Sequence, residues 1–283
     1  MISVSLLSSY DYCARKLFLE QVLKLAVVPR EAVVKGSVRH SVHERASKAE
    51  ESLVKSIKSE LTYNEIVEKY KKLHSDVLKE TIVRNKSKLS EVKISLTDFF
   101  KEAWPLVLQE SQHKALNLHE FMKKNKAFGD DLWKQLSPKI ESEFYIESED
   151  LMLKGVIDQL EVYDNKIVRE VVPYELKTGS APREGVWPSH KIQIGAYIML
   201  LEKNKMFVRD AYVKYLDIND VRTVIMNPFL EKKVLDTRDL VIQLFKGKEV
   251  PDFCDNKLKC ASCQLKERCF NEKFIKEKLS LIS

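Results

Sequence analysis

The stretch "KGVIDQLEVYDNKIVREVVPYELKTG", residues 154–179, decides how the rest of the chain is read. Its β-branched and aromatic residues predict two strands, with "DN" at 164–165 as a turn signal. Side chains alternate along a strand, so Glu175 and Lys177 share a face and Leu176 points the other way. A buried charge is costly unless it is paired or bound to a metal. From this tripeptide alone, a structural ion pair is one reading. Asp158, on the preceding strand, opens another, because it can face Glu175 across the hairpin. Two carboxylates that share a divalent ion need oxygens a few ångströms apart, since metal–oxygen bonds are about 2.0–2.2 Å. A tight turn at 164–165 would set Asp158 opposite Val171, four residues short of Glu175. At ~3.4 Å per residue that gap is too wide. A shared site therefore needs the tip near 166–167, or a bulge that restores the register.

On both sides of the hairpin the pattern continues. "EFYIE" at 143–147 reads as a strand before it. A helix is predicted at about 189–203, with Gln193 and Tyr197 four apart and so on one face. Strands "AYVKYLD" and "RTVIMN" follow, then a helix capped by Asn227 and Pro228 and stopped at Gly247. Upstream, the 92 residues between Gly36 and Gly129 contain no glycine and one proline, Pro105, and read as helical. Thr62 and Glu65 form a capping box ahead of the stripe Ile66, Tyr70, Leu73, Val77. Leu96, Phe99, Phe100, Ala103 and Val107 form a second stripe, broken or kinked near Pro105. Ser5 to Leu25 also reads as helical. The order is helices, then a small mixed sheet with helices, then a cysteine-rich tail: an α+β protein without internal repeats.

Composition bounds the rest. The 283 residues are 44% hydrophobic and 32% charged, as in a soluble globular protein. A net charge of +6 permits a polyanionic partner without demanding one. The longest apolar run, around "AYIMLL" at 196–201, cannot span a bilayer. No basic leader precedes the first apolar residues, so no secretory signal is expected and the expected location is the cytoplasm. Cys13, Cys254, Cys260, Cys263 and Cys269 are an odd set, which argues against a disulfide framework. Four of the five fall in the last 30 residues, a clustering that suits metal ligation. "GSVRH" at 36–40 brings His40, with His43 near enough to leave the choice between them open.

"GSVRH", "GVID", "YELK" and "QIGAY" occur in that order. Together they resemble the RecB-like branch of the PD-(D/E)xK nucleases, in which a histidine, an aspartate, an E-x-K strand and a Q-x-x-x-Y helix form one site. "YDYCARKLFL" near the start and "CASCQLKERC" near the end place one cysteine before a C-x2-C-x5-C group. That arrangement is similar to the iron–sulfur nucleases of the branch, which include the CRISPR-associated exonuclease, the AddB subunit and the Okazaki-fragment helicase-nuclease. A chain of 283 residues is short for a helicase motor, which favours the stand-alone CRISPR-associated type. "PYELK", with proline two residues before the glutamate, also looks like that family. The departure is the helical stretch 46–140, where compact members have far fewer residues.

The resemblance implies a restriction-endonuclease-like mixed sheet flanked by helices. Residues 1–45 would carry the first cysteine and the motif histidine, 46–140 a helical insertion, 141–247 the nuclease core and 248–283 an iron–sulfur tail packed on the N-terminal segment. It implies that His40, Asp158, Glu175 and the main-chain carbonyl of Leu176 hold Mg²⁺ or Mn²⁺, with Asp158, Glu175 and Lys177 catalytic and Glu143 a further acid near the ion. Gln193 and Tyr197 would line the DNA path or brace the site. Cys13, Cys260, Cys263 and Cys269 would hold a [4Fe–4S] cluster with Cys254 left over. The rival grouping is zinc on Cys254, Cys260, Cys263 and Cys269. Residues 51–140 carry 17 basic against 13 acidic residues. "RNKSK" at 84–88 and "KKNK" at 123–126 are either phosphate contacts or a solvated face. The implied activity is a metal-dependent DNA exonuclease, 5′ to 3′ on single strands and open to endonuclease activity as well, trimming DNA ends for CRISPR spacer acquisition. Its partners would be DNA, the CRISPR integrase and that integrase's companion subunit. A RecB- or AddB-like repair nuclease and a non-catalytic DNA-binding assembly subunit stand as alternatives.

Overall fold

The computed structural model describes residues 1–27, 30–164, 169–247 and 249–281. Within them the chain begins with β1 (Ile2–Ser3), α1 (Val4–Gln21), α2 (Glu31–Lys55), α3 (Tyr63–Arg84), α4 (Lys86–Glu91), α5 (Leu96–Asn125) and α6 (Gly129–Gln135). Next come β2 (Lys139–Ser148), β3 (Leu153–Asp164), β4 (Arg169–Lys177), α7 (Pro188–Lys203), β5 (Phe207–Val208), β6 (Tyr212–Tyr215) and β7 (Asp220–Thr223). The chain closes with α8 (Pro228–Lys246), α9 (Lys257–Ala261), α10 (Lys266–Phe270) and α11 (Glu272–Ser280).

The predicted helix signals operate. Thr62 accepts from the Glu65 amide at 3.4 Å, while the Thr62 amide donates to Glu65 Oε2 at 2.8 Å. Asn227 caps α8 through the amides of Phe229 and Leu230, at 3.1 and 3.0 Å. Pro105 does not end its helix: α5 runs through it from Leu96 to Asn125. Its apolar stripe is packed against α2 and α3 around Phe99 and Ala103, and burial holds the turn that proline weakens.

The strands form one mixed sheet in the order β1-β3-β4-β6-β7, with β2 on the other edge of β3 and β5 beside β4. β2–β3 and β3–β4 are antiparallel, and β4–β6 is parallel. The main core lies between this sheet and α1, α7 and α8. From Ile192 to Leu201 α7 is buried on all sides, as a helix at the centre of a core must be. Two further apolar clusters hold α2–α6 together, and a fourth packs the C-terminal tail onto α1 and α8. No described helix is long and apolar enough to cross a membrane.

The second residue of the "DN" turn and the alternative tip at 166–167 fall within 165–168, outside the described residues. The strands beside them settle the register. Asp164 pairs with Arg169 and Gln159 with Tyr174, which carries Asp158 to the level of Glu175. The tight turn at 164–165 would have required Asp158 opposite Val171; that residue pairs with Val162 instead.

Candidate active site

Three strands put their acids in one row. Ser142↔Gln159 and Phe144↔Ile157 bracket Glu143 and Asp158, so these two stand across from each other between β2 and β3. The β3–β4 register then sets Asp158 beside Glu175. Glu143 has φ +54°, a left-handed conformation rare for a side-chain-bearing residue inside a strand. Such strain is of order 1–3 kcal/mol and persists where surrounding structure fixes it.

Two motif glycines let helices come close enough to complete the row. A Cβ at Gly36 would lie 2.6 Å from Thr178 Oγ1, so glycine lets α2 touch the end of β4. One turn later α2 presents His40. Its Nε2 is 2.9 Å from Asp158 Oδ1, and its Nδ1 is 3.1 Å from Glu143 Oε1. A Cβ at Gly155 would lie 2.6 Å from Tyr197 Cε1, so only glycine seats that ring under β3. Tyr197 Oη donates to the Val156 carbonyl at 2.7 Å.

The second oxygen of Asp158 accepts from the Leu176 amide at 2.7 Å. The β3–β4 ladder ends at Gln159↔Tyr174, and the Asp158 side chain carries the connection one step further. In an extended strand an amide and its own carbonyl point to the same edge, so the Leu176 carbonyl is turned toward Asp158 as well. Glu175 is 3% exposed. Its Oε1 accepts from Lys177 Nζ at 2.8 Å and from Gln193 Nε2 at 2.6 Å. Gln193 Oε1 in turn accepts from Lys177 Nζ at 2.8 Å. One amide thus holds the acid and the lysine in fixed relation.

The electrostatics show a shortage of positive charge. Burial and the neighbouring Asp158 push Glu175 up to about 8, against the pull of Lys177. Glu143 is also raised, by burial first. His40 is raised to about 9 by its hydrogen bond to Asp158, with the charges of Asp158, Glu143 and Glu175 adding to it. Glu175 Oε2 is buried with no hydrogen-bond partner, and Glu143 Oε1 has only its 3.1 Å ion-pair contact with His40 Nδ1. Buried polar groups are normally satisfied, and orphaned carboxylate oxygens are the costliest kind to leave.

Ligand atoms of His40, Glu143 and Asp158 lie within 4.8 Å of one another. An oxygen-rich set with one imidazole suits Mg²⁺ or Mn²⁺. Of the expected trio His40, Asp158 and Glu175, the first two belong to this group. Glu143 stands in the compact group, and Glu175 adjoins it with one oxygen on Lys177 and the other free. Gln193 and Tyr197, 6% and 3% exposed, have little surface for a nucleic acid strand, and their polar atoms are taken. Of the two roles expected for them, their placement favours bracing over lining.

All five cysteines line a cavity of about 50 Å³ between α1 and the C-terminal tail. Cys13 breaks the helical geometry of α1 at φ −169°, ψ 103°. Arg15 Nε donates to Cys269 Sγ at 3.2 Å, and the Lys16 amide to Cys13 Sγ at 3.4 Å. The Cys254 thiol stands near those of Cys13 and Cys260. Burial raises both of those thiols.

Sequence reasoning missed a polar network on α2, α3, α5 and β6, buried at Glu50 and Lys114 and half-buried at Glu110 and Lys214. Glu50 accepts from Tyr70 Oη at 2.6 Å and pairs with Lys114; Glu110 pairs with Lys214 at 3.1 Å. Burial lowers His43 to about 4, so it is neutral at pH 7. These residues are scattered from 43 to 214, and only "GSVRHSVH" gave a signal, in the ambiguity between His40 and His43.

The chain belongs to the PD-(D/E)XK nuclease superfamily, whose family model matches residues 1–270. The mixed sheet with flanking helices is the restriction-endonuclease-like architecture of that superfamily, whose members are metal-dependent nucleases. No curated protein matches the chain. A solved structure titled "Crystal structure of SSO0001" is similar at 19% identity over 67% of this chain and 80% of that one. Its TM-score of 0.28 is too low to carry an argument.

Proposed function

We propose that the chain is a divalent-metal-dependent DNA exonuclease that trims single-stranded ends, 5′ to 3′, during CRISPR spacer acquisition in the cytoplasm. The observation that carries the nuclease reading is the row Glu143–Asp158–Glu175, closed by His40 and flanked by Lys177, with the buried Glu175 Oε2 left open. In this reading residues 46–140 are an insertion into the nuclease core. His40, Glu143, Asp158, Glu175 and the Leu176 carbonyl hold the ion. A divalent ion in that set supplies polarisation of a phosphodiester oxygen and acidification of water. Lys177, fixed by Gln193, positions the attacking water or offsets negative charge developing on the phosphate. The fixed ammonium is pre-oriented, so no reorganisation is needed as that charge grows.

The narrower placement rests on the motif order and on the one-plus-three cysteines. The CRISPR integrase and its companion subunit follow from the same resemblance as partners. Cys13, Cys260, Cys263 and Cys269 would hold a [4Fe–4S] cluster that clasps the tail to α1. Two N–H donors on the sulfurs of Cys13 and Cys269 suit an anionic cluster. Sulfurs around one tetrahedral zinc stand about 3.8 Å apart, given bonds of about 2.3 Å. Among the described residues no three cysteine sulfurs gather within 4.8 Å.

The test is cleavage of end-labelled single-stranded DNA with Mn²⁺ and with EDTA. The expected result is stepwise shortening by the native protein with Mn²⁺, and none with EDTA or with Asp158→Ala. Cleavage by Asp158→Ala at the native rate refutes the site. Brown protein with absorbance that Cys13→Ser removes supports the cluster; colourless protein containing zinc refutes it.

A further inference from the structure

The loop between β4 and α7 leaves the sheet directly after Lys177 and ends at Trp187, which is 41% exposed. An exposed tryptophan on a loop is ordinarily free to move. This one is held from several sides. The Gly179 amide donates to Asp217 Oδ2 at 2.7 Å, and Arg222 Nη1 donates to the Pro182 carbonyl at 2.8 Å and also to that of Gly185. The indole Nε1 donates to the Ser180 carbonyl at 3.0 Å, and the Trp187 amide to Tyr215 Oη at 3.3 Å. Tyr215 is the register partner of Lys177 across β4 and β6. The ring is thus anchored beside the lysine with its one polar atom satisfied, and what it still offers is apolar surface.

Position gives that surface an occupant. Gln193, which touches Lys177, lies six residues further along α7, about 9 Å at 1.5 Å per residue. A phosphate drawn to Lys177 brings a neighbouring nucleotide within reach of Trp187. Indole faces stack on any base, and stacking on a ring already immobilised forfeits little entropy. A base can use that face only when it is not stacked in a duplex.

We infer that Trp187 is a stacking platform for an unpaired base of the substrate strand next to the scissile phosphate, and that it selects single strands over duplex. This rests on the nuclease reading above. Trp187 is a positioning residue, since the reacting atoms lie at Lys177 and the acid row.

The experiment measures binding of fluorescein-labelled single-stranded and blunt duplex DNA to the cleavage-deficient Asp158→Ala protein, with and without Trp187→Ala. Loss of the ring weakens single-strand binding about tenfold, within the range for one stacked base. Duplex binding changes less than twofold, and Trp187→Phe restores most of the single-strand affinity. One abasic residue, walked along the oligonucleotide, weakens binding at one position in the Trp187 protein and at none in Trp187→Ala. Equal single-strand affinity with and without the ring, or an equal abasic penalty in both proteins, overturns the inference. If the native protein neither binds nor cuts DNA, the nuclease reading falls and this inference with it. Native cutting with an insensitive Trp187→Ala sinks the stacking role alone.

Discussion

Two sets of acids, the row on β2, β3 and β4 and the network on α2 and α5, behave in opposite ways. In the acid row, burial and Asp158 push Glu175 up to about 8, and Glu143 is raised too. In the network, burial would also raise Glu110, but the charges of His43, Lys214 and Lys114 more than offset it and hold Glu110 well below the usual range. At pH 7 His43 is neutral, and Lys214 and Lys114 are the cations facing Glu110. Lys114 stays raised despite full burial because Glu50 and Glu110 face it. The difference is one of supply. The network carries its own counter-charge, whereas the row has too little and lends His40 a proton in place of a cation. A carboxylate cluster that its own protein leaves unbalanced marks where an external cation belongs.

Breaking the balanced side should cost the most. Lys114→Ala leaves Glu50 buried without its cation, and unfolding should show a loss of about 3–5 kcal/mol. A loss below about 1 kcal/mol would mean the network is not closed as described. On the other side, Lys177→Met should slow DNA cleavage about 10²–10³-fold, the effect of removing one preorganised electrostatic donor. The variant should remain folded and bind Mn²⁺.

Stability without metal sharpens the contrast. Glu175 has a folded value of about 8 against an ordinary 4.5, and His40 about 9 against 6.5. Both bind protons more tightly folded than unfolded. Their stabilisation is complete below the unfolded values and is lost as pH rises through the folded ones. Metal-free protein should therefore melt at progressively lower temperature from about pH 4.5 to 9, most steeply between about 6.5 and 8 where both groups contribute, and saturating Mg²⁺ should flatten that slope. Glu175→Gln should raise metal-free stability at pH 8 by on the order of 1 kcal/mol, since it removes the strained charge. A melting temperature that rises over the same interval without metal would contradict the shortage of positive charge.

The smallest effect belongs to Tyr197→Phe. It removes one hydrogen bond to the Val156 carbonyl and should cost about 1 kcal/mol in stability, with cleavage near native.

Much of this was legible in the residues. The period-2 strands, the Thr62–Glu65 box and the Asn227 cap are local signals, and the structure uses each. The Asp158–Glu175 geometry was legible as a constraint, because strand spacing makes a shared site incompatible with a plain tight turn at 164–165. Glu143 was harder, because its place depends on the β2–β3 register and on a left-handed backbone that its sequence does not announce. Glu50, Glu110, Lys114 and Lys214 were not legible at all. They look like ordinary surface charges on amphipathic helices and a strand, and only tertiary packing buries them together. The bracing of Gln193 likewise needed coordinates, since four-residue spacing gives a face but not what that face meets.

The most direct test of the missing cation is Mn²⁺ binding by calorimetry or electron paramagnetic resonance at pH 7, on the native protein and on Asp158→Asn. The native protein should take up one ion at this site and release protons as it binds, and Asp158→Asn should lose that uptake while keeping its fold. Equal uptake by both proteins, with no proton release from either, would show that the acids are gathered for some purpose other than holding an ion.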